Sequence, residues 1–249
     1  MIVRDAGSEW LVVTQADHAR LASDLLALLR LPGLADHPRR AELLADVAAH
    51  DDGWWETDAA PRIDPASGRP RDFLALDSAA RFEIWDRGVE RHAARLPYRA
   101  AMVATHGLRR FAARRGDPEW ADFLARLETR RDELLELSGR SREELARDDR
   151  WLELGDDLSL TAVTGSAVHL GLPGWRAVAS ASGTVLELLL EPFPLAGSTR
   201  VALRGRRIPA RRYAADAELA TALAAARWQS FEVRVAALGA GPQPAESRA

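Results

Sequence analysis

The sequence predicts a mainly helical protein with a small antiparallel β-sheet from its C-terminal region, a sheet that an N-terminal hairpin could join. Three observations carry this. Between residues 14 and 160, apolar residues recur at helical spacing in segment after segment, most of them opened by a capping residue or a proline. From Gly171 the composition changes, and residues 184–190, 199–203 and 231–236 read as strands joined by connections containing Pro or Gly. At the start, Ile2-Val3-Arg4 and Trp10-Leu11-Val12-Val13 are β-like runs parted by Asp5-Ala6-Gly7-Ser8, a hairpin signal. The chain thus divides into a hairpin (1–13), a helical core (14–170), a β-rich region (171–238) and a tail (239–249) whose Gly, Pro, Ser and Ala predict disorder.

In order along the core, Thr14 suits an N-cap, with Asp17 at the third helical position, for a helix to about Leu29. On it His18, Leu21, Ala22, Leu25 and Leu29 share one face. Pro32-Gly33 breaks the chain, and Pro38 suits the first turn of the next helix. Over residues 41–51 Leu43, Leu44 and Val47 form an apolar stripe; His50 follows Val47 at i+3 and Asp51 at i+4, so both flank the buried face. Residues 53–77 show neither helical nor strand period and read as a long ordered loop, a kind of segment that often covers a functional site. A helix over 78–96 places Phe82, Trp85, Val89 and His92 on one face. Pro97 starts another, to about Arg115, with Met102, Val103 and His106 as neighbours. Asp117-Pro118 caps a longer helix ending near Ser138-Gly139. Ser141-Arg142-Glu143-Glu144 is a capping box for a segment that reaches Trp151 and resumes through Asp156, Asp157 and Leu160. One more helix is expected over 216–227.

With 249 residues the chain can bury roughly three quarters of its unfolded surface. A net charge of -3 gives no global attraction to nucleic acid or anionic membrane, so nucleic acid is disfavoured and a small-molecule substrate is the expected partner. A homo-oligomer stays open. The first residues lack a basic segment followed by an apolar run, and no stretch approaches about 18 apolar residues, so a cytoplasmic location without membrane contact is expected. The chain has no Cys, which leaves His and carboxylates as candidate ligands.

Four of the 6 histidines, His18, His50, His92 and His106, fall on successive helices on or beside apolar faces, which favours a shared site. His37 and His169 lie elsewhere. A buried His and a buried Asp cost several kcal/mol unless paired or coordinated, so His50-Asp51 demands partners. Imidazole and carboxylate together suit one or two divalent ions among Mn, Fe, Mg and Zn.

That order resembles the HD superfamily of metal-dependent phosphohydrolases. By the resemblance His18 matches its first His, His50-Asp51 its doublet and Asp156 its last Asp, with Asp157 the close alternative. His106 matches an additional His of binuclear members, and His92 a second one. Val-Thr-Gln-Ala-Asp-His-Ala-Arg-Leu, His-Asp-Asp-Gly-Trp and Ile-Asp-Pro-Ala-Ser-Gly-Arg-Pro also resemble an uncharacterised bacterial family, domain-of-unknown-function family 3891, over most of the chain. That second likeness brings no activity. The first implies an HD-like helical core and hydrolysis of a small phosphorylated metabolite or nucleotide, with Asp51 bridging two metals and Asp51 and His106 as catalytic residues. The same ligand set occurs in HD-type di-iron oxygenases, and a non-catalytic metal-binding or ligand-binding module is a third reading.

For substrate, Arg20, Arg109 and Arg110 could hold phosphate by bidentate bonds. Trp54 and Trp55 could stack a base or roof the cleft. Asp52 is read as a cap for the loop. The arginines from Arg200 to Arg212 are read as charge guarding a strand edge.

Overall fold

A computed structural model describes residues 1–166, 176–182 and 185–239. His169, the composition change at Gly171 and the tail beyond Gly239 lie outside the described residues. In chain order the elements are β1 (Ile2–Asp5), β2 (Glu9–Val13), α1 (Gln15–Leu28), α2 (Arg40–Ala48), a 3-10 turn (Asp52–Trp54), α3 (Trp55–Ala59), a second 3-10 turn (Phe73–Ala75), α4 (Ser78–Ala93), α5 (Pro97–Arg110) and a third 3-10 turn (Ala112–Arg114). They continue with α6 (Pro118–Ser138), α7 (Arg142–Thr164), β3 (Arg176–Ser182), β4 (Val185–Glu191), β5 (Thr199–Pro209), α8 (Asp216–Ala225) and β6 (Trp228–Ala237).

The helix starts follow local chemistry. Thr14 Oγ1 accepts from Asp17 N at 3.1 Å, Asp77 from Ala80 N at 2.9 Å and Asp117 from Glu119 N at 3.1 Å. Ser141 and Glu144 form the reciprocal box, 3.1 and 2.9 Å. From that box α7 runs unbroken for 23 residues, without the interruption expected after Trp151. The Ser141 backbone N–H and the Arg39 guanidinium hold the Glu144 carboxyl down at about 2. A depressed carboxyl contributes stability that is present above its unfolded value and lost as pH falls through the folded one. Wild type should therefore lose melting temperature faster than Glu144→Ala between pH 5 and 2, by about 1 kcal/mol in all, since the group is largely solvated. Parallel melting curves over that range are the check.

The expected mainly helical fold with a small antiparallel sheet is corrected: the protein is mixed α/β. Its sheet has six strands in the order β1-β2-β5-β6-β4-β3, and β4 pairs with β6 in parallel. β5 and α8 together form the crossover that such a parallel pair requires. β5 is eleven residues long and joins the N-terminal hairpin, through Trp10↔Ile208, to β6, through Leu203↔Phe231. Nothing local announces such pairing, and β3 (RAVASAS) carries little β-branched or aromatic character.

Alternation along β2 shows how the sheet is used. Leu11 and Val13 face the main core, shared by the helices and by Leu188, Leu203 and Val233 of the sheet. Trp10 and Val12 face a smaller one, closed by Ile208, Tyr213, Leu219 and Leu223 under α8. The helical and β-rich regions are thus joined through one core. α1 packs on α2 and α7, and α5 packs on α4, α6 and α7, so α7 stands at the centre. No helix among the described residues is long and apolar enough to cross a membrane.

Candidate metal centre

α2 ends at Ala48, so His50 and Asp51 sit in the turn beyond it and not on the helix as expected. In a continuing helix, adjacent side chains would diverge by about 100°. Here Asp51 takes φ -106, ψ 19, and the chain turns directly into the Asp52–Trp54 3-10 turn. Gly53 lets this turn lie against α4: a Cβ there would fall 2.1 Å from Ile84 O and 2.9 Å from Gly88 N.

Three elements converge on this turn. His18 comes from α1, His106 from α5 and Asp156 from α7, all buried. His18 Nε2 lies 3.0 Å from Asp156 Oδ1 and 3.7 Å from Asp51 Oδ2. His50 Nε2 lies 3.5 Å from Asp51 Oδ2 and 3.7 Å from Asp156 Oδ1. With donors about 2.1 Å from an ion, the edges of its coordination shell are about 3.4 Å in tetrahedral and 3.0 Å in octahedral geometry. Each imidazole nitrogen thus lies at ligand-like spacing from a carboxylate oxygen of both Asp51 and Asp156. His18, His50 and Asp51 meet as one possible ligand group, and His50, His106 and Asp156 as a second.

Hydrogen bonding decides which ring nitrogens are free. His50 Nδ1 donates to Val47 O at 2.7 Å, which turns Nε2 toward the carboxylates of Asp51 and Asp156, buried and without a hydrogen-bond partner among the described residues. Ser159 Oγ lies 3.0 Å from Asp156 O and 2.8 Å from His18 Nδ1, and so holds the His18 ring with Nε2 toward Asp156. His18 Nε2 faces the Asp156 Oδ1 carboxylate oxygen at hydrogen-bond distance, 3.0 Å. Two such atoms repel unless a cation, proton or metal, lies between them. His106 is the reverse case. Arg109 has only donors and gives one to His106 Nδ1 at 2.9 Å, which puts the ring proton on Nε2. That nitrogen lies 3.6 Å from Asp156 Oδ2.

The electrostatics favour a cation between these carboxylates, a proton on His50 when no metal is bound. Burial opposes charge on His50, yet the Asp51 and Asp156 carboxylates raise it to about 9. Burial works against Asp156 too, but the hydrogen bond from His18 and the neighbouring His50 hold it well below the usual carboxylate range. Burial pushes His106 well below the usual imidazole value, so it stays neutral. Burial, and then the neighbouring Asp156, raise Asp157 to about 7. Asp157 lies beside Arg110 at 3.6 Å and belongs to neither ligand group, so Asp156 is the one that faces the cluster.

The remaining expected residues fall as follows. Arg109 is held bidentately by Asp149 at 3.0 and 3.1 Å and pairs with Glu153 at 3.0 Å; it reaches the site only through His106. Arg20 is exposed and pairs with Asp17, away from the cavity. Trp54 is buried and lines the cavity, while Trp55 is 46% exposed under Arg91. His92 lies 3.2 Å from Asp52 and outside the cluster, and His37 joins Tyr98 on the buried Asp148, at 2.9 and 2.6 Å.

A cavity of about 230 Å³ opens onto His18, Asp51, His106 and Asp156, with Gln15 and Arg110 also in its lining. Sequence reasoning missed Gln15. The available signal was its place three residues before His18, on the same face of α1.

Fold and site together define a mixed α/β protein with a buried His/Asp cluster able to hold a metal ion. Within that class, the chain belongs to the family described as "Protein of unknown function (DUF3891)", which matches residues 1–208 and so takes in every residue of the cluster. No curated protein and no solved structure matches the chain. These comparisons lend no support to membership of the HD superfamily.

Proposed function

We propose that this protein hydrolyses small phosphate esters with the help of a single divalent metal ion held by His18, His50, Asp51 and Asp156. The observation that carries this reading is the four approaches of 3.0 to 3.7 Å between the Nε2 atoms of His18 and His50 and the carboxylates of Asp51 and Asp156, with the His50 ring oriented by its Nδ1 bond to Val47 O. The order His, His-Asp, Asp along the chain is the further support, and the likeness to HD phosphohydrolases rests on that order. Such an ion, when bound, would polarise the phosphoryl group and lower the pKa of an attacking water. Mixed imidazole and carboxylate ligation suits Mn, Fe or Zn.

The chain's own groups supply the rest. Arg110 makes no hydrogen bond among the described residues, and its ion-pair approaches to Asp157 and Asp156 are 3.6 and 3.8 Å, which leaves its donors for a phosphoryl oxygen. His106, neutral and protonated on Nε2, is a hydrogen-bond donor beside the ligands and suits the leaving oxygen. Arg109 keeps it in that tautomer, anchored in turn by Asp149 and Glu153. Trp54, Phe73, Trp85 and Phe111 supply the apolar wall of the cavity.

Phosphate release from a panel of small esters, with Mn2+, Zn2+ or Mg2+, tests the reading. Wild type should turn over at least one ester, and His106→Ala should lower kcat about 100-fold with its metal content kept. A metal-loaded protein silent on the whole panel, yet raised in melting temperature by a metabolite, would instead make this a binding module.

A further inference from the structure

Gln15 opens α1, its backbone N–H donating to Asp58 at 2.7 Å. Its side chain is buried at 2% exposure and lines the same cavity as His18 and Asp156, and its amide oxygen has no hydrogen-bond partner among the described residues. A buried acceptor left unpaired costs about 1 to 3 kcal/mol, so a ligand that satisfies it gains by comparison with one that cannot. A chain fold that retained such a group purely for packing would do better with an apolar side chain of the same shape.

The cavity brings the Gln15 side chain together with a cation, Arg110, and aromatic walls. Its volume of about 230 Å³ lies below the roughly 300 to 1,000 Å³ of ordinary ligand pockets. Arg110 calls for an anionic group, Gln15 for a donor, and the volume for a short body between them. We infer that the site takes the phosphate ester of a small alcohol carrying a second hydroxyl, with phosphate toward Arg110 and the ligand cluster and the free hydroxyl donating to Gln15 Oε1. This rests on the phosphoester reading above. It narrows that reading from phosphorylated metabolites and nucleotides in general to short polyol phosphates, and it makes Gln15 the specificity residue. A site built to bond a hydroxyl discriminates strongly against the analogue lacking it, because the protein group is then stranded.

The test compares glycerol 1-phosphate, phosphoethanolamine and n-propyl phosphate on Mn2+-loaded protein, with Kd by titration and phosphate release followed in the same samples. The variant is Gln15→Met, which keeps the side-chain length and removes the acceptor. Wild type should bind glycerol 1-phosphate about tenfold or more tightly than n-propyl phosphate, and Gln15→Met should bring that ratio near one with metal content unchanged and melting temperature equal or higher. A preference for phosphoethanolamine over glycerol 1-phosphate would replace the hydroxyl by an amine and overturn the polyol assignment. Equal binding of glycerol 1-phosphate and n-propyl phosphate in wild type, or a ratio that survives in Gln15→Met, overturns the role of Gln15 while leaving the hydrolase reading in place. If metal is held but none of the three esters binds or turns over, both fall.

Discussion

Alanine in place of Gly53 is expected to destabilise the protein by about 3 kcal/mol or more and to abolish metal binding. Overpacking a well-filled core usually costs about 1 to 3 kcal/mol, and flexible side chains absorb part of the strain. At Gly53 the neighbours are backbone: Ile84 O at 2.1 Å from the added Cβ, Gly88 N at 2.9 Å and Gly88 Cα at 3.0 Å. No rotamer change relieves that contact, so the turn carrying His50 and Asp51 must move away from α4. Gly155 provides the contrast. A Cβ there would meet the Leu26 side chain at 2.9 Å, an atom that can yield, and backbone only at 3.2 Å, from Ala22 O, so Gly155→Ala should cost less and retain the fold. Denaturant unfolding of both variants, beside metal content, checks the ranking. Equal and small losses would mean that the turn is not pinned by this contact.

Asp156→Asn is the second large effect. In wild type, chelator should lower the melting temperature of metal-loaded protein by about 5 to 10 °C, the size expected for removing a ligand present at about 100 times its Kd. In Asp156→Asn the chelator should do nothing. The substitution keeps side-chain shape but removes the charge that faces His18 at 3.0 Å and His50 at 3.7 Å. A further loss of stability is expected before any chelator is added, because His50 is then left with Asp51 as its main counter-charge. Thermal melts of both proteins with and without chelator distinguish the two contributions.

How much of this was legible in the sequence depends on how local each cause is. The caps at Thr14, Asp117 and Ser141 were readable because a cap and its target lie within three residues. His18 and the His50-Asp51 pair were readable as polar groups beside apolar faces, and Asp156 only through the likeness to the HD order. The exit of His50-Asp51 from α2 was not, since the cause is the contact of Gly53 with α4, some 30 residues on. The sheet order was hidden for the same reason: β4 and β6 find each other only once β5 and α8 have crossed over. The role of His106 turns on Arg109, and Arg109 on Asp149 and Glu153 one turn apart on α7, so composition alone could not separate a ligand from a proton-bearing neighbour.

The most direct measurement is the number of metal ions per chain, in protein purified without chelator and in protein loaded separately with Mn2+, Fe2+ and Zn2+. One ion per chain is predicted, retained in His106→Ala and falling below about a tenth in His18→Ala and Asp156→Asn. No ion after loading would contradict the metal centre itself, and two ions in wild type that drop to one in His106→Ala would contradict the single site and make His106 a ligand.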